Sequence, residues 1–335
     1  MAFDFDRIVD RRSTNSVKWQ RYGPGVLPLW VADMDFPAPE PILDVLRRAV
    51  DHGIFGYEMP GRDLAATVAG RMESLYGWQV APESVVATPG VIAGFVAAAH
   101  AVCAAGEGIL VQPPVYPPFL RVHERSGWVR QDAPLRQNAH SQMMEYEIDW
   151  DVFERAFGSQ GAHTGMFLLC NPHNPTGQIY TRDELARMAQ ACLAHGAFIV
   201  SDEIHSELLL GSTRHLPIAC LDPEIAARTI TLVAPSKTYN VPGLFCAFAI
   251  IPDPELCARY RQAVERLAMH VSGPGLLAGE VAYSGACDDW LSAVRAYLKA
   301  NRDFLVDFVA RELPGVRTTV PEATYLAWLD FNELI

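Results

Sequence analysis

Four polar side chains stand where apolar runs give way to turns: Tyr116 after GILVQPPV, Asn174 in CNPHNPTG, Asp202 in FIVSDE and Lys237 in TITLVAPSK. Singly, each has an ordinary reading. A loop lysine is usually solvated, an aspartate there caps a helix, an asparagine before proline sits in a turn, and a tyrosine among prolines packs on them. Together, an amine, a carboxylate, an amide and an aromatic face can hold and use a small molecule. A fifth feature joins them, because Thr88-Pro89-Gly90 leads into a helix starting near Val91, and the N-terminus of a helix attracts anions.

Such residues meet only if the elements beneath them bring the turns together. From about residue 84 the chain alternates short apolar runs with helical stretches. SVVATPG precedes the alanine-rich VIAGFVAAAHAVCAAG; GILVQPPVY and GMFLLCNPHNPTG follow; TRDELARMAQACLAHG opens with a capping box, Thr181 with Glu184, and ends at Gly196. AFIVSDE, TITLVAPSK and FCAFAIIP supply three more strands. Fully apolar strands between helices predict an α/β domain, a mostly parallel sheet covered on both faces, which binds ligands outside the carboxyl ends of its strands. The predicted organisation is an N-terminal segment over 1–45, a large domain over 46–283 and a smaller α+β domain over 284–335, the two ends of the chain packing together. In that last part DWLSAVRAYLKANRDFLVDFVARELPG reads as a long helix and VRTTVPEATYLAWLDF as a pair of strands.

Composition narrows the ligand. Of 335 residues half are hydrophobic, and the formal net charge is −12 with no basic run, so neither nucleic acid nor an anionic membrane is an expected partner. No apolar stretch reaches membrane-span length and the N-terminus has no leader pattern, which predicts a soluble, cytoplasmic protein. The seven cysteines are scattered without a CxxC pair and read as reduced core thiols. A phosphate-loop GxxxxGK[ST] and a dinucleotide GxGxxG are both missing, and Asp202-Glu203-Ile204-His205 has no second cluster at metal-ligand spacing, so no metal is expected. Pyridoxal phosphate, by contrast, uses the whole set: a lysine to link it, a carboxylate for its pyridinium nitrogen, a donor to its ring oxygen, an aromatic face and backbone donors for its phosphate.

The motifs NPHNPTG, SDEIH and SKTYNVPG, in this order and spacing, resemble the aminotransferase class I/II family of fold-type I pyridoxal-phosphate enzymes. The N-terminal KWQRYGPGVLPLWVADMDFPAP, with GIFGYEMPG and PPVYPPF, is similar to its cystathionine β-lyase branch of carbon–sulfur lyases, and the likeness covers nearly the whole chain. The resemblance implies that Lys237 is the Schiff-base lysine and Asp202 the pyridinium partner, that Asn174 contacts the 3′-oxygen and that Tyr116 stacks on the ring. It also implies that the backbone at Val91 and Ile92 and the Ser236 hydroxyl hold the phosphate, with Tyr57 reaching it from the neighbouring subunit of a homodimer.

Two departures from the wider family fit the lyase branch: Phe245 stands where many members carry a phosphate-binding arginine, and His205 where many carry a tyrosine. A third concerns the end of the chain. The sequence reads as C-terminally truncated relative to the family, stopping soon after TYLAWLDF, before the arginine that grips the substrate carboxylate. The expected activity is α,β-elimination from cystathionine or an S-substituted cysteine, giving pyruvate, ammonia and a thiol. Aminotransfer is the alternative from the same cofactor site, and a non-catalytic or regulatory cofactor-binding relative lacking that arginine is a third.

Overall fold

The computed structural model describes residues 3–60, 62–138 and 143–334; Gly61 of GIFGYEMPG and the terminal Ile335 lie outside them. Eleven strands are described: β1 (Val85–Thr88), β2 (Gly108–Val111), β3 (Val129–Asp132), β4 (Arg136–Gln137), β5 (Tyr146–Glu147), β6 (Thr164–Cys170), β7 (Phe198–Asp202), β8 (Thr229–Val233), β9 (Ala247–Ile250), β10 (Arg317–Thr318) and β11 (Leu329–Asp330). Seven of them form one sheet in the order β1-β9-β8-β7-β6-β2-β3. All neighbours pair in parallel except at β9, which runs antiparallel to both β1 and β8. β6 and β8 are buried at every residue, as strands covered on both faces must be.

The cover comes from two of the predicted helices and from two that sequence reasoning did not name. On one face lie Val91–Val102 and Pro254–Arg266, packing Phe95, Leu232 and Tyr260 with Phe119 and Trp128. Helix Val91–Val102 approaches the sheet so closely that a Cβ on Gly94 would come 3.0 Å from Leu232, which accounts for its small-residue content. On the other face Arg182–Ala194 and Trp150–Ala156 enclose Phe153, Phe167, Leu185 and Met188. The capping box at Thr181 and Glu184 is formed, and Gly196 ends that stretch with φ +71°.

Helix Asp288–Glu312 matches the predicted long helix, while the strand pair beyond it shrinks to β10 and β11, two residues each. The N-terminal segment packs on that helix through Phe5 and Phe36 against Trp290 and Tyr297, and the Tyr297 hydroxyl donates to Asp6 at 2.7 Å. Arg71, on helix Arg62–Tyr76, ties the same helix to the rest: it meets the half-exposed Asp288 at 2.8 Å and the buried Glu207 at 2.5 Å. Residue 45 lies inside helix Glu40–His52, which runs unbroken through the predicted end of the N-terminal segment.

Candidate active site

Parallel pairing delivers the polar residues to one edge. Asp202 is the last residue of β7, level with Cys170 at the end of β6 and with Leu232 in β8. Beyond β8, Ala234 leads a single helical turn, Pro235–Thr238, that carries Ser236 and Lys237. Beyond β6, the NPHNPTG turn places Asn174, whose carbonyl accepts the Tyr116 N–H at 3.0 Å, so the loops after β2 and β6 are stitched together.

Electrostatics single out this edge. Asp202 is buried, with the Ile204 N–H on one oxygen at 3.0 Å; it makes an Asx turn and caps no helix. Burial drives its pKa from 3.8 to about 7, helped by neighbouring Glu203 and opposed by the Ile204 N–H and by Lys237. Among the described residues no cation forms an ion pair with it. Burial also lowers the pKa of Lys237, against the pull of Asp33 and Asp202, so its amine gives up a proton more readily than a solvated lysine. His205 is pressed down to about 3 by burial and by Lys237 and stays neutral, with a buried Nδ1 that has no hydrogen-bond partner among the described residues. Tyr116 is shifted up by burial and by the Asp202 charge, keeping its hydroxyl protonated.

Helix Val91–Val102 begins at Gly90, whose φ of 142° and ψ of 161° suit glycine, and no side chain caps it. Its first-turn N–H groups therefore face outward with no capping oxygen, as an anion site requires. Tyr57 and Ile92 are exposed, Tyr57 completely, and Tyr57 takes no part in the hydrogen bonds around Lys237.

Sequence reasoning missed the group that the lysine touches. Lys237 Nζ donates to the carbonyl of Ala32 at 2.7 Å, and the Tyr325 hydroxyl donates to the same oxygen at 3.0 Å. Residues 32–36 are held rigidly. Arg11 grips both oxygens of Asp33 at 2.8 and 3.2 Å, Lys18 bonds the Asp33 carbonyl at 3.0 Å, and the Asn240 side chain bonds Met34 N–H, Met34 O and Phe36 O at 2.9, 2.9 and 2.7 Å. VADMDF is visible in the sequence, but a backbone acceptor carries no side-chain signal.

Comparison with known proteins gives the family. The sequence model of the family Aminotransferase class I and II matches residues 27–334. The chain belongs to this family. Cystathionine beta-lyase PatB of Bacillus subtilis is 39% identical over 98% of the chain and 85% of its own length. Two solved structures superpose closely. Cystalysin from Treponema denticola, whose structure contains a pyridoxal 5′-phosphate cofactor, gives a TM-score of 0.92 at 28% identity, covering 100% of this chain and 85% of its own. The PLP-bound C-S lyase from Staphylococcus hominis gives 0.90 at 30%, covering 99% and 83%. The family's fold-type I architecture agrees with the α/β sheet described above.

Proposed function

We propose that this chain is a pyridoxal-phosphate-dependent carbon–sulfur β-lyase that splits L-cystathionine or an S-substituted cysteine into a thiol, pyruvate and ammonia. The observation that carries the reading is a buried Asp202 and a half-buried Lys237 at adjoining strand ends, in a chain whose similar relatives bear lyase names. The residues fit the cofactor. A buried carboxylate without a cation suits a protonated ring nitrogen, a half-buried lysine suits the linkage, and an uncapped helix start suits a phosphate. Val91 and Ile92 N–H groups with the Ser236 hydroxyl would hold that phosphate, Asn174 would donate to the ring oxygen, and Tyr116 would cover the ring. The neutral His205, whose Nδ1 has no partner among the described residues, lies in the same buried polar group.

When bound, pyridoxal phosphate supplies an electron sink for the pair released at Cα. The protein does the rest. An ionised Asp202 would hold the proton on the ring nitrogen. The Lys237 amine, freed when the substrate amine takes its place and with its proton affinity lowered by burial, would take the proton from Cα of the substrate. Sulfur then leaves Cβ as the thiolate while a Cα=Cβ bond forms, and water hydrolyses the released three-carbon enamine to pyruvate and ammonia.

A homodimer completes the proposal. Ile54, Phe55, Tyr57 and Met59 are exposed on one loop and Phe245 on another. The two loops are linked through the start of helix Gly273–Tyr283, where Glu58 crowds Gly273 and the Leu244 carbonyl crowds Gly275. A second copy would cover this apolar band and bring its own Tyr57 to the phosphate. No described helix is long and apolar enough to cross a membrane and all seven cysteines are free, which fits work in the cytoplasm.

The deciding experiment supplies the cofactor-loaded protein with L-cystathionine and no oxo acid. Pyruvate and a thiol are expected. Their absence, with amino transfer on adding 2-oxoglutarate, replaces lyase by aminotransferase. Cofactor binding through Lys237 without either turnover makes the chain a non-catalytic relative. Lys237→Ala should remove the visible absorbance of the linked cofactor in every case, and sedimentation should give twice the chain mass.

A further inference from the structure

We propose that Tyr325 is a positioning residue for Lys237, its hydroxyl sharing the Ala32 carbonyl with the lysine amine and so setting where that amine rests and how readily it releases its proton. The inference rests on the reading of Lys237 as the reaction's base. A carbonyl oxygen has two lone pairs, and here both are taken: Lys237 Nζ at 2.7 Å and Tyr325 Oη at 3.0 Å.

This oxygen cannot turn away to follow one donor. The residues after it are fixed by Arg11, Lys18 and Asn240, and Asn240 lies three residues beyond Lys237, so the loop that bears the amine also holds its acceptor. Tyr325 is fixed from its other side. Thr324 N–H bonds the Leu208 carbonyl at 2.8 Å, Glu322 and Ala323 N–H bond the Gly177 carbonyl at 2.9 and 3.0 Å, and the tyrosine ring stands edge-on to His205 at 6.4 Å. Burial and the charge on Asp33 keep its hydroxyl protonated and therefore a donor.

The consequence follows from how hydrogen bonds share an acceptor. A carbonyl that already accepts from a tyrosine has less to offer an ammonium, and charge-assisted bonds feel that loss more than neutral ones. The tyrosine thus favours the neutral amine. The charged and titratable groups that face Lys237 besides it are Asp33, Asp202 and His205, and Tyr325→Phe leaves all three in the chain.

The chain has three lysines, Lys18, Lys237 and Lys299, which makes the test clean. The cofactor-free full chain is pulse-labelled with acetic anhydride across pH and each lysine is read by peptide mass spectrometry, for wild type and Tyr325→Phe. The Lys237 midpoint should rise by about half a pH unit, near threefold less free amine on the slope, with Lys18 and Lys299 unmoved. An unchanged Lys237 profile overturns the proposal, as does an equal shift at Lys18, which would mean that residues 32–36 have merely loosened. Tyr325→Met, which lacks the hydroxyl but keeps apolar bulk, must shift Lys237 in the same direction; a shift in one variant alone also overturns it. Repeating the labelling with pyridoxal phosphate bound separates the two readings. If the cofactor fails to protect Lys237 in wild type, the functional reading fails whatever the tyrosine result.

Discussion

Replacing Asp202 by asparagine should make the cofactor-free protein more stable, and by an amount that grows with pH. The carboxyl is buried with one backbone N–H and no ion-paired cation, and its pKa stands at about 7 against 3.8 when free. Ionising it inside the fold therefore costs about 4 kcal/mol more than in the unfolded chain. The sign follows from proton counting. Below the unfolded pKa both states are protonated and nothing is lost; between the two values only the folded state binds the proton, so stability falls as pH rises, and above about 7 the full cost is present. Asparagine has the same shape and no charge to bury. The gain of Asp202→Asn over wild type should be about 1–2 kcal/mol at pH 5 and about 4 kcal/mol at pH 8, read from urea unfolding of the cofactor-free chains. With pyridoxal phosphate bound, the ring N–H partners the charge, so wild type should recover that cost while the variant does not. A gain that is the same at both pH values would refute the argument that desolvation governs this carboxylate.

Three further outcomes test the frame around the site. Asn240→Gly removes three hydrogen bonds to residues 34–36 and should cost about 2–4 kcal/mol, whereas Asn240→Ala should cost about 1 kcal/mol more because φ is +57° there; equal losses in denaturant would deny a role to the backbone geometry. Gly177→Ala should destabilise the protein by more than about 2 kcal/mol, since φ is +74° and the new Cβ would lie 2.2 Å from Pro321; a melting temperature equal to wild type would contradict the packing. Arg71→Met strands Glu207 in the core and should cost about 3–5 kcal/mol at neutral pH, with much of it restored in Arg71→Met/Glu207→Gln; a double variant no better than the single one would show that packing, not charge, is lost.

The mostly parallel sheet and the edge that brings Asn174, Asp202 and Lys237 together were legible in the sequence because both follow from local signals. Fully apolar strands, a capping box and glycine stops specify the alternation, and parallel pairing then sends Asn174, Asp202 and Lys237 to one side without further information. What escaped was long-range and mostly backbone. The Ala32 carbonyl lies 205 residues from Lys237 and 293 from Tyr325, and neither a carbonyl nor a tyrosine inside an apolar strand-like run advertises a polar contact. Asn240 was equally silent: the sequence shows an asparagine before Val-Pro-Gly, and only the fold shows that it occupies the left-handed region and points its amide at Met34 and Phe36. The two kinds of residue divide the work. Strand-end side chains define which chemistry is available, and the N-terminal segment, pinned by Arg11, Lys18 and Asn240, decides where the lysine amine waits. Loosening residues 32–36 should therefore change the reactivity of Lys237 while leaving Asp202 in its buried place, because the aspartate is held by the sheet and the amine is held by a segment that the sheet does not contain.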